Sequence, residues 1–375
     1  MKKNIIFTMA ALAALTLASC QAELQPEEIL PAGEEPVTMQ TDTVKTFSFS
    51  IQAGKQDDGD TKALDLSADG KNLSLTWNQG DKVEMFFRGK DWIYGSGTQQ
   101  YHYIKMVTLD ATPEADPKKA ALEGEIFEDN VPYNIATFPM EYSPHDVSDT
   151  TYTLDLYYPR ADFVYTGQNG ALKGSGSIEE NYEYAFGRVR ITGVSEIRKV
   201  DDEYNLHLYY DYSTTGATFR NQQSIYRFGF NGGSGLVNFR EFTIYAGHGK
   251  LVTSRSPLET DIFRDISTQG VSLDPDTPHC AYDTKYGPLT VTPGNVQPDD
   301  KYYYVSIRNE YVGSATEADR YTFVAYDTSG ALYTGYKDIP ASVLNVQGRF
   351  ISAKNVAVAK VKIPEKPAAT LTEIL

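Results

Sequence analysis

Apolar and polar residues alternate with period two once the chain is past its first forty residues. In 46–52, Phe47, Phe49 and Ile51 fall on one face and Ser48, Ser50 and Gln52 on the other, the pattern of a half-buried strand. The same pattern recurs at Leu73, Leu75 and Trp77, then at Val83, Met85 and Phe87, with the Gly-containing stretch 78–81 reading as the hairpin loop between them. Further strands are expected at 101–107, 131–138, 151–158, 206–212, 224–230, 241–245, 302–307, 321–326 and 356–363. Helical periodicity is thin: Leu258, Ile262 and Ile266 keep a four-residue spacing after Pro257, and 178–186 suffices for two turns. Many short strands separated by Gly, Pro, Asp and Asn predict an all-β protein, a sandwich or barrel. The glycine-rich stretch 167–177 separates two runs of strands, so the expected domains are 45–168 and 169–375. The pentads at 154–158 and 206–210 look alike, but so short a strand pattern recurs by chance and defines no repeat.

The first nineteen residues follow a different grammar. Lys2 and Lys3 precede a short apolar run, 5–17, below the roughly 20 residues that a spanning helix needs. The run closes on Leu17-Ala18-Ser19-Cys20, which resembles a bacterial lipoprotein box. Residues 1–19 are therefore read as a lipoprotein signal peptide, with Cys20 as the lipidated residue. Burying acyl chains yields about 0.8 kcal/mol per methylene, so several chains on one cysteine hold a protein stably in a bilayer. Residues 20–44 are acidic, proline-bearing and poor in aromatics, and read as a tether. With Cys20 acylated, Cys280 is the remaining thiol and no intrachain disulfide is available.

Charge narrows the partners. Fifty acidic against 34 basic residues give −16, and loss of Lys2 and Lys3 takes this to −18. That balance disfavours nucleic acid and bare anionic lipid. The 27 Tyr and 17 Phe suit strands. The pairs Tyr157-Tyr158 and Tyr209-Tyr210 and the triplet 302–304 would make a sugar-stacking platform if exposed together, though tyrosine also suits a half-buried strand with its ring in the core.

Candidate chemistry is sparse. His102, His145, His207, His248 and His279 lack metal-ligand spacing, and no HExxH, GxSxG or Walker-type loop occurs. His279 beside Cys280 would point to the opposite face of a strand. Asp57, Asp58 and Asp60 imitate part of a calcium loop but lack its downstream glutamate. No catalytic residue, metal site or cofactor is expected.

Several segments together resemble the fimbrillin-like family of anchored pilins and adhesins. They are the lipobox and acidic tether, the Phe47-x-Phe49-x-Ile51 strand, Thr61-Lys62-Ala63, and Leu73-x-Leu75-x-Trp77 followed by Gly80-Asp81-Lys82-Val83. Tyr133-Asn134-Ile135-Ala136-Thr137-Phe138-Pro139 is similar to a strand end of that family, and 289–295 and 347–350 are similar to its C-terminal domain. The resemblance implies two tandem transthyretin-like β-sandwiches and a role as pilus subunit, tip or accessory adhesin at an outer membrane, with other pilin subunits as partners. The host protein or glycan target is left open, and a carbohydrate-binding lipoprotein that captures polysaccharide is the alternative.

In such pilins a trypsin-like protease cuts after an arginine near the N-terminus to release a first strand. Here Arg88 is the first arginine, so processing would fall at Lys45, Lys55 or Lys62. Strand exchange would then involve an edge strand at 46–52 and a donor tail carrying Leu371, Ile374 and Leu375. Glu23, Glu27 and Glu28 near the lipid resemble a surface-export signal, placing the protein outside the cell.

Replacing Cys20 by alanine is expected to move the protein from the membrane to the soluble fraction without changing its circular-dichroism spectrum. Retention in the membrane fraction would refute the anchor.

Overall fold

The computed structural model describes residues 43–55, 76–92, 99–127, 153–200, 206–257, 282–293, 302–311, 313–314, 316–344 and 346–362, with backbone alone at 43–44, 88–92, 99–104 and 127. In chain order the strands are β1 (Thr43–Lys55), β2 (Lys82–Trp92), β3 (Gln99–Pro113), β4 (Lys119–Phe127), β5 (Thr153–Tyr158), β6 (Phe163–Val164), β7 (Ala185–Val200), β8 (Leu206–Thr214), β9 (Ala217–Asn221) and β10 (Ser224–Asn231). They continue with β11 (Phe239–Ala246), β12 (Lys250–Pro257), β13 (Tyr282–Tyr286), β14 (Leu289–Val291), β15 (Tyr303–Ile307), β16 (Asn309–Glu310), β17 (Asp319–Asp327), β18 (Leu332–Ile339) and β19 (Phe350–Lys360). Two four-residue helices, α1 (Ile178–Asn181) and α2 (Ala341–Leu344), precede β7 and β19. The all-β class read from the alternation is the one the chain adopts.

The first sheet runs β4-β3-β2-β5-β7-β8-β1-β9, and an additional β1–β4 pairing closes it into a circuit. β1 is antiparallel to β4 from Thr46↔Phe127 to Gly54↔Lys119. Its other edge runs parallel to β8 from Thr43↔Leu206 to Phe49↔Tyr212, then to β9 from Ala53↔Ala217 to Lys55↔Phe219. The segment expected to be an edge strand is thus paired on both sides. Phe47, Phe49, Ile51 and Ala53 point into a core with Trp77, Val83, Met85, Phe87, Leu122, Leu156 and Ile191.

The second sheet runs β14-β11-β17-β18-β19-β10-β15. Phe230 is fully buried, its ring 5.0 Å from Phe239, 5.1 Å from Phe242 and 5.2 Å from Phe323 between centroids. A smaller sheet, β13-β12-β16 with β6 beside β12, continues from the β11–β12 turn.

The two cores share a wall. β5 is buried at every position because both its faces are covered: Leu154 and Leu156 line the first core, and Tyr157 belongs to the second. Phe86 of β2 and Phe186 of β7 lie beside Tyr157 at 5.3 and 5.2 Å. The Tyr157 hydroxyl meets that of Tyr282 at 2.8 Å. Residues 41–375 accordingly form one compact unit.

The expected boundary at 168/169 does not coincide with the change of sheet, because β7, β8 and β9 follow it and return to the first sheet. The stretch 167–177 is itself tied into the fold. Gln168 is buried; its Nε2 donates to the carbonyls of Tyr165 and Ser306 at 2.8 Å each, and its Oε1 accepts from Ser306 N at 2.7 Å. Tyr304 N donates to Gly170 O at 2.8 Å. Gly167, Gly170, Gly174 and Gly176 all have φ between 72° and 93°. These glycines supply left-handed turns that a side chain would strain, and the chain folds back tightly through them.

Two outcomes follow from this packing. Limited proteolysis with N-terminal sequencing is expected to find no cut within 167–177 in the folded protein. Phe230→Ala is expected to cost about 3–5 kcal/mol in urea unfolding, the range for an aromatic removed from a close-packed core.

Candidate functional site: a caged lysine at the end of the first strand

Continuing the period-two alternation from Phe47 through Ala53 places Lys55 on the core face of β1. The ammonium group is enclosed there. Its Nζ donates to Thr76 O at 2.9 Å, and lies 4.3 Å from the Trp77 ring centroid and 4.1 Å from that of Tyr158. Glu183 Oε1 is 3.6 Å away, a contact longer than a hydrogen bond, and both side chains are nearly inaccessible, at 1% and 7% exposure.

Each wall of this cage has a local reason. Gly80 takes φ 81° in the turn that carries the chain from Trp77 into β2, and Asp81 closes that turn by accepting from Asn78 N at 2.9 Å. Trp77 is fixed by its own amide, which donates to Pro117 O at 2.8 Å, and by edge contacts with Tyr158 and Phe219. Tyr158 ends β5 and donates its hydroxyl to Asp81 Oδ2 at 3.3 Å. Glu183 lies between α1 and β7, where Ser177 caps the helix by accepting from Glu180 N.

Burial dominates the electrostatics. It pulls the Lys55 ammonium below its ordinary value, with Glu183 and Asp81 opposing. It raises the Glu183 carboxyl to about 7, with Lys55 as the main opposing influence. The Tyr158 hydroxyl is raised by burial, then by Glu183 and Asp81. A cation over two rings gains about 0.5–2 kcal/mol from each in a desolvated setting. That offsets part of the cost of taking the charge from water.

A second polar cluster joins the small sheet to the rest. Arg255 Nη1 and Arg308 Nε lie 3.7 and 3.9 Å from Glu310 Oε1, and Tyr286 donates to the same carboxylate. Arg255 stacks 3.8 Å from the Tyr282 ring centroid, and Arg308 donates to Gln222 O at 2.8 Å. On the outer face of the second sheet, Arg320, Thr322, Thr334, Tyr336, Ala357 and Ala359 line a shallow trough of about 450 Å³. Arg320 stacks on Tyr336 at 4.2 Å and pairs with Asp338 at 2.8 Å.

Lys45 sits half-buried on β1 opposite Leu208, whereas Lys55 is buried. A protease that must draw a lysine side chain into its own pocket does not reach Lys55 in the folded chain. Cys20, Lys62, Leu371, Ile374 and Leu375 lie outside the described residues, as do His145, His279, Cys280 and the 57–60 aspartates. Tyr157, Tyr158, Tyr210, Tyr303 and Tyr304 are buried, so these members of the tyrosine clusters form core rather than an exposed platform. His207 stacks on Tyr209 at 6.3 Å, and His248 lies 4.0 Å from Glu317. Among the described residues no group of His, Cys, Asp and Glu is arranged to hold a metal ion. Sequence reading missed Glu183 altogether; the inward phase of Lys55 was the available signal for its partner.

No protein-family model matches the chain, and no curated protein matches its sequence. Among solved structures it is similar to a candidate cell adhesion protein from Bacteroides ovatus, at 9% identity over 84% of this chain and 95% of that one, with a TM-score of 0.30. It is similar to the tip fimbrial protein Mfa3 from Porphyromonas gingivalis at 6% identity over 78% and 81%, with a TM-score of 0.28. A fimbrial assembly protein from Parabacteroides distasonis aligns at 9% identity over 82% and 89%, with a TM-score of 0.25.

Lys55→Ala is expected to destabilise the protein by about 3–5 kcal/mol in chemical denaturation, because it leaves a buried carboxyl without its partner. The double variant Lys55→Met with Glu183→Gln is expected to recover the part of that loss that comes from the unpaired carboxyl.

Proposed function

We propose that this chain is a non-enzymatic, surface-anchored fimbrillin-like protein, an adhesin or pilus subunit that mediates cell adhesion. It would be held at the outer membrane through lipid on Cys20, exposed to the outside, with other pilin subunits as potential partners. The observation that carries the reading is the placement of β1. The first strand after the acidic tether fills a slot between β4 on one side and β8 and β9 on the other, and supplies Phe47, Phe49 and Ile51 to the core. A fold completed by a strand next to its tether suits a subunit whose N-terminal segment links structure to anchorage. The sequence segments that resemble fimbrillins support the same reading.

Within that reading, the chain fits an adhesin that keeps its own first strand. Two ladders and a buried Lys55 hold β1 in place, and an exchange of the kind in which a neighbour's tail carries Leu371, Ile374 and Leu375 into the groove requires both ladders to break. Lys45 and Lys62 are then the processing positions to consider ahead of Lys55.

External protease applied to intact cells is expected to digest the protein, and fractionation to place it with the outer membrane. Protection from the protease would contradict surface exposure. Purified protein treated with trypsin is expected to remain monomeric on detergent gels. Detergent-resistant multimers that form from the full chain but not from one lacking residues 364–375 would instead establish a polymerising subunit.

A further inference from the structure

We infer that Lys55 and Glu183 are joined by an intramolecular amide bond, formed when the lysine ε-amine condenses with the glutamate side-chain carboxyl and one water leaves. This goes beyond the proposed function and does not depend on it. The geometry that points to it is a nitrogen nucleophile and a carboxyl held 3.6 Å apart, both closed off from solvent and walled by Trp77 and Tyr158.

Three features of the cage favour condensation over a lasting ion pair. Water, which opposes amide formation in bulk solution, is excluded from the pair, and fixed placement replaces the entropy cost of bringing two groups together. The amine donates to Thr76 O at 2.9 Å, which orients it, while Glu183 Oε1 is buried without a hydrogen-bond partner, so that Lys55 itself is what opposes the burial cost of its charged form. Burial also draws each group toward its uncharged form, the lysine downward and the glutamate upward to about 7, and the uncharged amine and uncharged acid are the reacting species.

The step balances without an oxidant or a co-reactant. The amine lone pair attacks the Glu183 Cδ and forms the C–N bond. One amine proton passes to the departing hydroxyl as the C–O bond breaks, and the other stays on the amide nitrogen. Asp81 acts as a positioning residue: by accepting the Tyr158 hydroxyl at 3.3 Å it holds that ring over the amine. The bond would tie the end of β1 to the chain just before β7, closing a loop across 183 − 55 = 128 residues of sequence. A first strand fastened in this way does not leave its slot, whatever is cut in the tether before it.

Denatured, proteolytically digested full-length protein examined by mass spectrometry tests the proposal. The expected product is a branched species joining the Lys55 and Glu183 peptides, one water lighter than their sum, with the two free peptides depleted. Lys55→Arg keeps the charge but has no acylable amine, and is expected to give both peptides unlinked. A second readout is intact mass: the wild-type chain, corrected for the substitution, is expected to be one water lighter than Lys55→Arg. Recovery of both wild-type peptides unlinked and at full mass, from protein shown to be folded before digestion, would overturn the proposal and leave a buried ion pair.

Discussion

The double pairing of β1 is the constraint on which the first half of the structure depends. Without it β4, β8 and β9 would each present an open edge, and the circuit of the first sheet would end in unpaired amides and carbonyls. Burying Phe47, Phe49 and Ile51 contributes about 1.5–3 kcal/mol each, against an ordering cost of about 1–2 kcal/mol for each residue of the strand. Side-chain burial offsets only part of that entropy cost, so the two ladders, at about 0.5–1.5 kcal/mol net per bond, have to supply the rest.

At the end of that strand the apolar face carries a lysine. An isolated ammonium there would be strongly unfavourable, and the surrounding residues are arranged to answer it. One carbonyl, two aromatic faces and one carboxyl converge from three segments distant in sequence. The same burial that makes the charge costly makes both ends of the pair less ionic than they are in water. A site of this kind arises only when the first sheet closes, because Thr76 and Trp77, Tyr158 and Glu183 approach one another through β1.

The second half is joined to the first by the outward faces of β2, β5 and β7 rather than by a linker. Phe86, Tyr157 and Phe186 are out of phase with the first core and would be exposed aromatics if the chain were two independent sandwiches. Their burial beside Phe163 and Tyr184 explains why β5 shows no polar alternation. A wall of this apolar character favours rigid coupling over hinge motion.

By itself the sequence determined the class of fold, because alternation with period two encodes which side of a strand is buried before any partner is chosen. The cores at Phe47–Ile51, Val83–Phe87 and Ser224–Phe230 were legible in this way. β12 and β18 were hidden by half-exposed polar positions that break the alternation. Residues 178–186 read as two helical turns, yet only Ile178–Asn181 is helical, since Ala185 and Phe186 gain more from pairing with β5 and β9 than from a longer isolated helix. Only the tertiary structure decided that β1 is internal, that the chain changes sheets after β9 rather than at residue 168, and that Lys55 meets Glu183. Each of these is a contact between residues far apart in the chain, and alternation records a residue's side of the sheet but carries no information about which strand, or which charge, lies opposite.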